Sequence, residues 1–205
     1  MSAHSLTLRL GLATRRQQRG FTLIELMVVV VIIAVLAAIS VPLFVAKMRE
    51  RRAQQTALQL AGLYREARMR ALGRGASVRV FYDGTTWQVQ EGVEGQAAAA
   101  ARGDAACQSL PTSGCLTNPW NGTASRNIAS FNPADVSSEI VATLADGSTA
   151  LDVCFTPLGR TFERPSAAAT YRPLTRVVGI NVKRGNDGLR RTVIVLPNGT
   201  ARLGL

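Results

Sequence analysis

The residues able to do chemistry are few, and their placement is uneven. The single histidine, His4, lies in a basic opening stretch that also carries Arg9, Arg15, Arg16 and Arg19 and no acid. If that stretch is removed, the remaining chain has no imidazole. A Ser-His or Cys-His nucleophile and a histidine metal site then both fail. The three cysteines, Cys107, Cys115 and Cys154, form no C-x-x-C pair, which weakens zinc and thioredoxin-like readings. In an oxidising compartment one disulfide is expected, and Cys107 with Cys115 closes the shortest loop. Cys154 then falls in a strand core. The other reading is three small buried hydrophobes. Glu25 is the unusual acid. It immediately precedes 21 residues, Leu26 to Ala46, that carry no charge. A carboxylate at the head of such a run either snorkels to water at an interface or needs a cationic partner.

The chemistry of other enzymes is missing as well. The sequence has no G-x-S-x-G, H-E-x-x-H or P-loop motif, and no G-x-G-x-x-G after a strand. Asp135, Glu139, Asp146 and Asp152 do not follow the spacing of a calcium loop. The reading is therefore a non-enzyme with no cofactor and no metal.

Charge poses a separate question. The 205 residues carry a formal +11. Nine basic residues follow Thr156 (Arg160, Arg164, Arg172, Arg176, Lys183, Arg184, Arg190, Arg191 and Arg202) against Glu163 and Asp187. A one-sided basic surface can bind nucleic-acid phosphates by counterion release. With 22 arginines against 2 lysines, it is equally the solvated face of an arginine-rich chain.

These residues must be positioned by a small set of elements. The run after Glu25 is long enough to span a bilayer. A basic leader before it is the layout of an export signal, yet no small-residue cleavage site follows the apolar stretch. Gln17 and Gln18 after Arg15-Arg16 argue against a twin-arginine signal. With the basic leader set against a far flank read as neutral, the positive-inside tendency keeps the N-terminus cytoplasmic. From residue 47 to 72, Ala53, Ala57, Leu60, Tyr64, Ala67 and Ala71 recur at alternating spacings of four and three, one face of a helix. A single helix is expected from Phe21 to about Leu72, on the order of 78 Å long. Gly73 and Gly75 end it, and Pro42 should kink it. Beyond it the period changes to two. Asp83-Gly84 joins 76–82 to 85–90 as a hairpin. Strands are expected at 138–144 and 150–155, at 174–183 and 190–196 around a Gly185–Gly188 turn, and at 200–204. Residues 91–137 read as a long, partly ordered insertion with few placeable elements, and 91–150 is treated as a variable insertion. The class is α+β, one long helix followed by an antiparallel sheet or a pair of sheets.

Arg19-Gly20-Phe21-Thr22-Leu23-Ile24-Glu25-Leu26-Met27, followed by the apolar Val28–Ala38, closely resembles the type IV prepilin signature. Glu66-Ala67-Arg68-Met69-Arg70-Ala71-Leu72, Trp87, Cys154-Phe155-Thr156-Pro157-Leu158-Gly159-Arg160 and Arg191-Thr192-Val193-Ile194-Val195-Leu196-Pro197-Asn198-Gly199 further resemble the pseudopilin H / FimT family. The resemblance covers 20–46 strongly, 60–90 and 151–203 fairly, and 91–150 not at all. It implies a pilin-like fold and a low-abundance structural subunit of a type II secretion pseudopilus or a type IV pilus. Residues 1–20 become a leader cut by a prepilin peptidase between Gly20 and Phe21, and Phe21 becomes the N-methylated terminus. Glu25 becomes the partner of a neighbouring subunit's terminal amine, and Pro42 matches a proline common in such helices. Residues 21–46 become the membrane and filament-core helix, 47–72 its amphipathic continuation, and 73–205 a β-rich periplasmic domain. Implied partners are other pilin subunits, the peptidase, an inner-membrane assembly platform and, before assembly, membrane lipid. Some FimT-like pilins bind DNA through a C-terminal Gly-Arg-x-Arg. Here the matching stretch is Gly199-Thr200-Ala201-Arg202, with one arginine replaced. In that alternative, Lys183, Arg184, Arg190 and Arg191 join Arg202 in contacting DNA.

Overall fold

The structure, a computed structural model, describes residues 20–94, 110–117, 120, 124–185 and 188–204. The chain divides into two compact units, Met1–Phe44 and Val45–Leu205, with the division inside a single helix, α1 (Leu23–Arg74, 52 residues). Within the first unit, α1 begins at a Thr22 cap whose hydroxyl accepts from the Glu25 backbone N–H at 3.3 Å. Its apolar side chains stay exposed, from 44 % at Val29 to 78 % at Leu23. The helix continues through Pro42, where the ring removes the donor that would have met the Ala38 carbonyl.

In the second unit the small residues of the amphipathic stretch make a flat face. All six expected positions are buried, together with Thr56 and Ala61. That face covers a core shared by two antiparallel sheets. The first sheet contains β1 (Val78–Tyr82), β2 (Trp87–Gly92), β3 (Ser125–Phe131), β5 (Leu151–Phe155), β6 (Thr161–Arg164) and β7 (Arg172–Pro173), in the order β3-β2-β1-β5-β6-β7. The second contains β4 (Ile140–Leu144), β8 (Val178–Arg184), β9 (Arg191–Val195) and β10 (Ala201–Leu203), in the order β10-β9-β8-β4. A four-residue helix, α2 (Pro133–Val136), is capped by the Asn132 side chain and leads into β4. Period-2 alternation sends Val78, Val80, Tyr82, Trp87, Val153 and Phe155 of one sheet, and Ile180, Val182, Val193 and Val195 of the other, into the core with Leu60 and Tyr64. Each large side chain so buried contributes roughly 1.5–3 kcal/mol. The Tyr82 and Trp87 rings stack with centroids 4.1 Å apart, beside the turn at Asp83–Thr86.

The first sheet is covered on its other face too. Arg79, Asp152 and Cys154 point away from the helix, into a second cluster with Cys115, Trp120, Tyr171 and Phe162. Cys115 is bonded to Cys154, 39 residues on. The expected pairing of Cys107 with Cys115 is therefore corrected. Loop length is a poor guide once strand pairing has fixed which segments lie side by side. Cys107 itself falls outside the described residues. Cys154 does lie in a strand, as expected, but as a disulfide partner. The stretch expected to be a partly ordered insertion with few placeable elements contains β3, the edge strand of the first sheet, along with part of its second core.

Candidate assembly site

Gly20 and Phe21 are exposed ahead of the helix, and Phe21 is 75 % accessible. Glu25 sits in the first turn, where the helix dipole favours an acid. Beyond it the charge-free run, about 31 Å of helix, matches the roughly 30 Å hydrocarbon core of a bilayer. It is the one helix among the described residues long and apolar enough to cross a membrane, and none of that window is buried within the chain.

The far flank of this run is not neutral, which corrects the expectation drawn from the leader alone. Lys47, Arg49, Arg51 and Arg52 follow it at once and are exposed. Both ends are basic, so the charge balance does not set the orientation.

The other expected basic site is divided by the fold. Register places Arg184 opposite Ile140, and Arg191 opposite Val182. Both therefore project from the core-facing side of the second sheet, towards α1. Lys183 and Arg202 project from the opposite side, and Arg190 lies in the turn region before β9. These five do not share one face.

Three other arginines of the basic C-terminal segment, Arg164, Arg172 and Arg176, are engaged by two of three buried acids, Asp152 and Glu163. Asp152 accepts from Arg79 Nη1 at 3.2 Å, from Arg164 Nε at 2.8 Å and Arg164 Nη2, and from the Tyr171 hydroxyl at 3.1 Å. Burial, reinforced by the Asp152 charge, raises the Tyr171 phenol well above its usual value, so it remains a donor. The Arg79 guanidinium also lies over the Trp120 ring, 4.9 Å from its centroid. Glu163 accepts from Arg172 Nε and Arg176 Nε, each at 3.0 Å, and Arg176 reaches Asp146 at 3.0 Å.

Glu91, the third buried acid, forms a clamp. Its side chain is fully buried and accepts from Arg70 at 2.8 Å, Arg74 at 2.9 Å and Arg126 at 3.2 Å. Burial alone would raise the carboxyl. The arginine hydrogen bonds and charges outweigh it and hold Glu91 below the usual carboxylate range. The clamp joins the last turns of α1 to β2 and β3. Its signal was in the sequence, because Glu91 has the parity of Trp87 and Val89, the core-facing residues of its strand.

A long helix whose first half is apolar and uncovered, and whose second half packs on antiparallel sheets, defines a pilin-like protein. The comparisons narrow this. The family described as "Prokaryotic N-terminal methylation motif" matches residues 15–41. Type II secretion system protein H of Escherichia coli (strain K12) is 32 % identical over 139 residues, which covers 64 % of this chain and 76 % of that protein. The chain belongs to the pseudopilin H / FimT family of type IV pilin-like proteins. Two crystal forms of the type IV minor pilin FimU of Pseudomonas aeruginosa (strain PAO1) are also similar in fold, at TM-scores of 0.45 and 0.41 and 11 % identity. They cover 77 % and 74 % of this chain and 91 % and 92 % of those chains.

Proposed function

We propose that this protein is a minor subunit of a type II secretion pseudopilus or a type IV pilus. It is made as a precursor with leader 1–20 and cut between Gly20 and Phe21. Phe21 is then N-methylated by the same peptidase. Residues 21–46 anchor it in the inner membrane, with the N-terminus cytoplasmic and the globular unit periplasmic, until an assembly platform inserts it among other pilin subunits. The observation that carries this reading is Glu25 at the head of an uncovered apolar helix. An uncompensated carboxylate costs about 2.5 kcal/mol or more where it is drawn into the middle of a membrane, and it needs a cationic partner once a filament covers the helix. A neighbouring subunit's terminal ammonium would neutralise it, and only at one stagger, which sets the register of assembly. The role is organisational, and the 32 % identity to a type II secretion protein favours the secretion machine.

Two substitutions test it. Gly20→Val should leave the precursor at its full mass, and a mature mass would move the cleavage site elsewhere. Glu25→Ala should be inserted and processed yet fail to co-assemble with other subunits. Normal incorporation of that variant would remove the role given to Glu25.

A further inference from the structure

Two basic stretches far apart in the sequence are brought together at the start of the globular unit. Glu50 and Ala53 of α1 line a shallow cleft with Arg184, Gly188, Leu189 and Arg191. Arg184 at the end of β8, and Gly188, Leu189 and Arg191 at and just before the start of β9, therefore lie beside the first turns of α1 after the apolar run. Glu50 and Ala53 stand four and seven residues past Ala46, about 6 and 10 Å along a helix. A headgroup layer is roughly 5–8 Å deep. At 100° per residue, Lys47, Arg49, Arg51 and Arg52 cover roughly 200° of the helix circumference, and Glu50 and Ala53 take the remaining arc towards the hairpin. Arg190 and Leu189 are exposed, Leu189 at 58 %. The acids nearby are Glu50, Glu139 (3.9 Å from Arg184) and, by sequence, Asp187.

We propose that these first turns of α1 and the β8–β9 turn region form one basic surface that docks on anionic phospholipid headgroups. This rests on the reading that residues 21–46 span the bilayer. The charge is complementary to lipid phosphate and lies within a Debye length of it, about 8 Å, so screening is incomplete. Leu189 supplies an apolar side chain among arginines, suited to the boundary between headgroups and acyl chains. Docking holds the globular unit at the bilayer by a second contact, so that the subunit waits for assembly in one orientation. It also gives Arg184, Arg190 and Arg191 a use that does not require Lys183 and Arg202 on the same face.

The test uses the full chain with Cys107→Ser and Leu189→Cys, the Cys115–Cys154 bond left closed, and a fluorophore on the introduced thiol. The chain is reconstituted into vesicles carrying a headgroup-level quencher lipid. Strong quenching is expected in vesicles containing phosphatidylglycerol. It should fall, in pure phosphatidylcholine, at high salt or with Arg49→Glu, Arg51→Glu and Arg190→Glu combined, to the level of a label at the exposed Leu158. Equal weak quenching in both lipids from a chain that floats with the vesicles overturns the docking surface and leaves the anchor intact. A chain that floats with neither overturns both. A label that responds to duplex DNA at near-physiological salt, and not to anionic vesicles, gives the surface to nucleic acid instead.

Discussion

Glu91 shows how a single acid organises its surroundings. It lies on the core-facing side of β2, yet its carboxylate is met by three arginines from α1 and β3. Hydrogen bonds to charged groups contribute about 1.5–3 kcal/mol each when buried, but Arg74 and Arg126 are half-exposed and can turn to solvent if the acid is lost. Glu91→Gln should therefore cost about 2 kcal/mol, read as a lower urea midpoint in detergent micelles. The pH dependence has a definite sign. The folded carboxyl titrates below its ordinary value of 4.5, so its contribution is full above that value and is lost as pH falls through the folded value. The gap between the parent chain and Glu91→Gln should close on acidification, and a gap that stayed constant would mean that the clamp holds by packing alone. The arginines themselves were not legible as partners. Arg70 lies off the apolar stripe of α1, and a charge there looks solvated until the strand it faces is known.

Among the elements, the legible ones carried their own punctuation. The β1–β2 hairpin follows from alternation on both sides of Asp83-Gly84, and the Asp83 carboxylate accepts from the Thr85 and Thr86 backbone N–H groups, as the turn requires. The apolar stripe of α1 followed from its spacing, and the helix ends at Arg74 before Gly75 at φ +68°, two residues past the expected stop. Strands at the margins were less visible. β3 reads SRNIASF, with no fully buried position, and β7 is two residues containing a proline. Each draws its stability from a neighbour, so neither has a strong pattern of its own. The turn before β10 is stricter than its sequence suggests. Gly199 is at φ +78°, and a Cβ there would lie 2.7 Å from Thr161 Oγ1 and 3.0 Å from the Phe155 ring. Gly199→Ala combines left-handed strain with a clash and should destabilise by about 1–3 kcal/mol. A melting temperature equal to the parent's would show that the turn can re-form around a side chain.

At the scale of the molecule, the covered far face of the first sheet was the least legible feature. An antiparallel sheet under one helix is ordinarily wet on the other side. Here Cys115, Trp120 and Tyr171 close over Arg79, Asp152 and Cys154, and the disulfide fixes that cover across 39 residues. Cys115→Ser should remove about 2–4 kcal/mol, and Cys107→Ser should leave the bond and the stability intact. Non-reducing peptide mapping checks the pairing, and a Cys107-containing crosslink in the parent chain would contradict it. The α+β class, the single uncovered apolar helix and the family were legible because they rest on local pattern and a dense motif. The disulfide and the arginine partners of the three buried acids were not, because they depend on contacts between distant segments.

That distance has a consequence in time. β1 pairs with β5, so Arg79 meets Asp152 across 73 residues, and the β1–β2 hairpin has no inner neighbour until β5 arrives. Closing such loops before any contact rewards them makes folding slow. Residues 21–46 emerge from the ribosome ahead of every strand, and their helix needs no partner strand. On the proposed reading of residues 21–46 as an anchor, that helix is complete while the sheets are still an unpaired chain, and the domain matures tethered at a surface, where a slow folder is kept from diffusing into its neighbours.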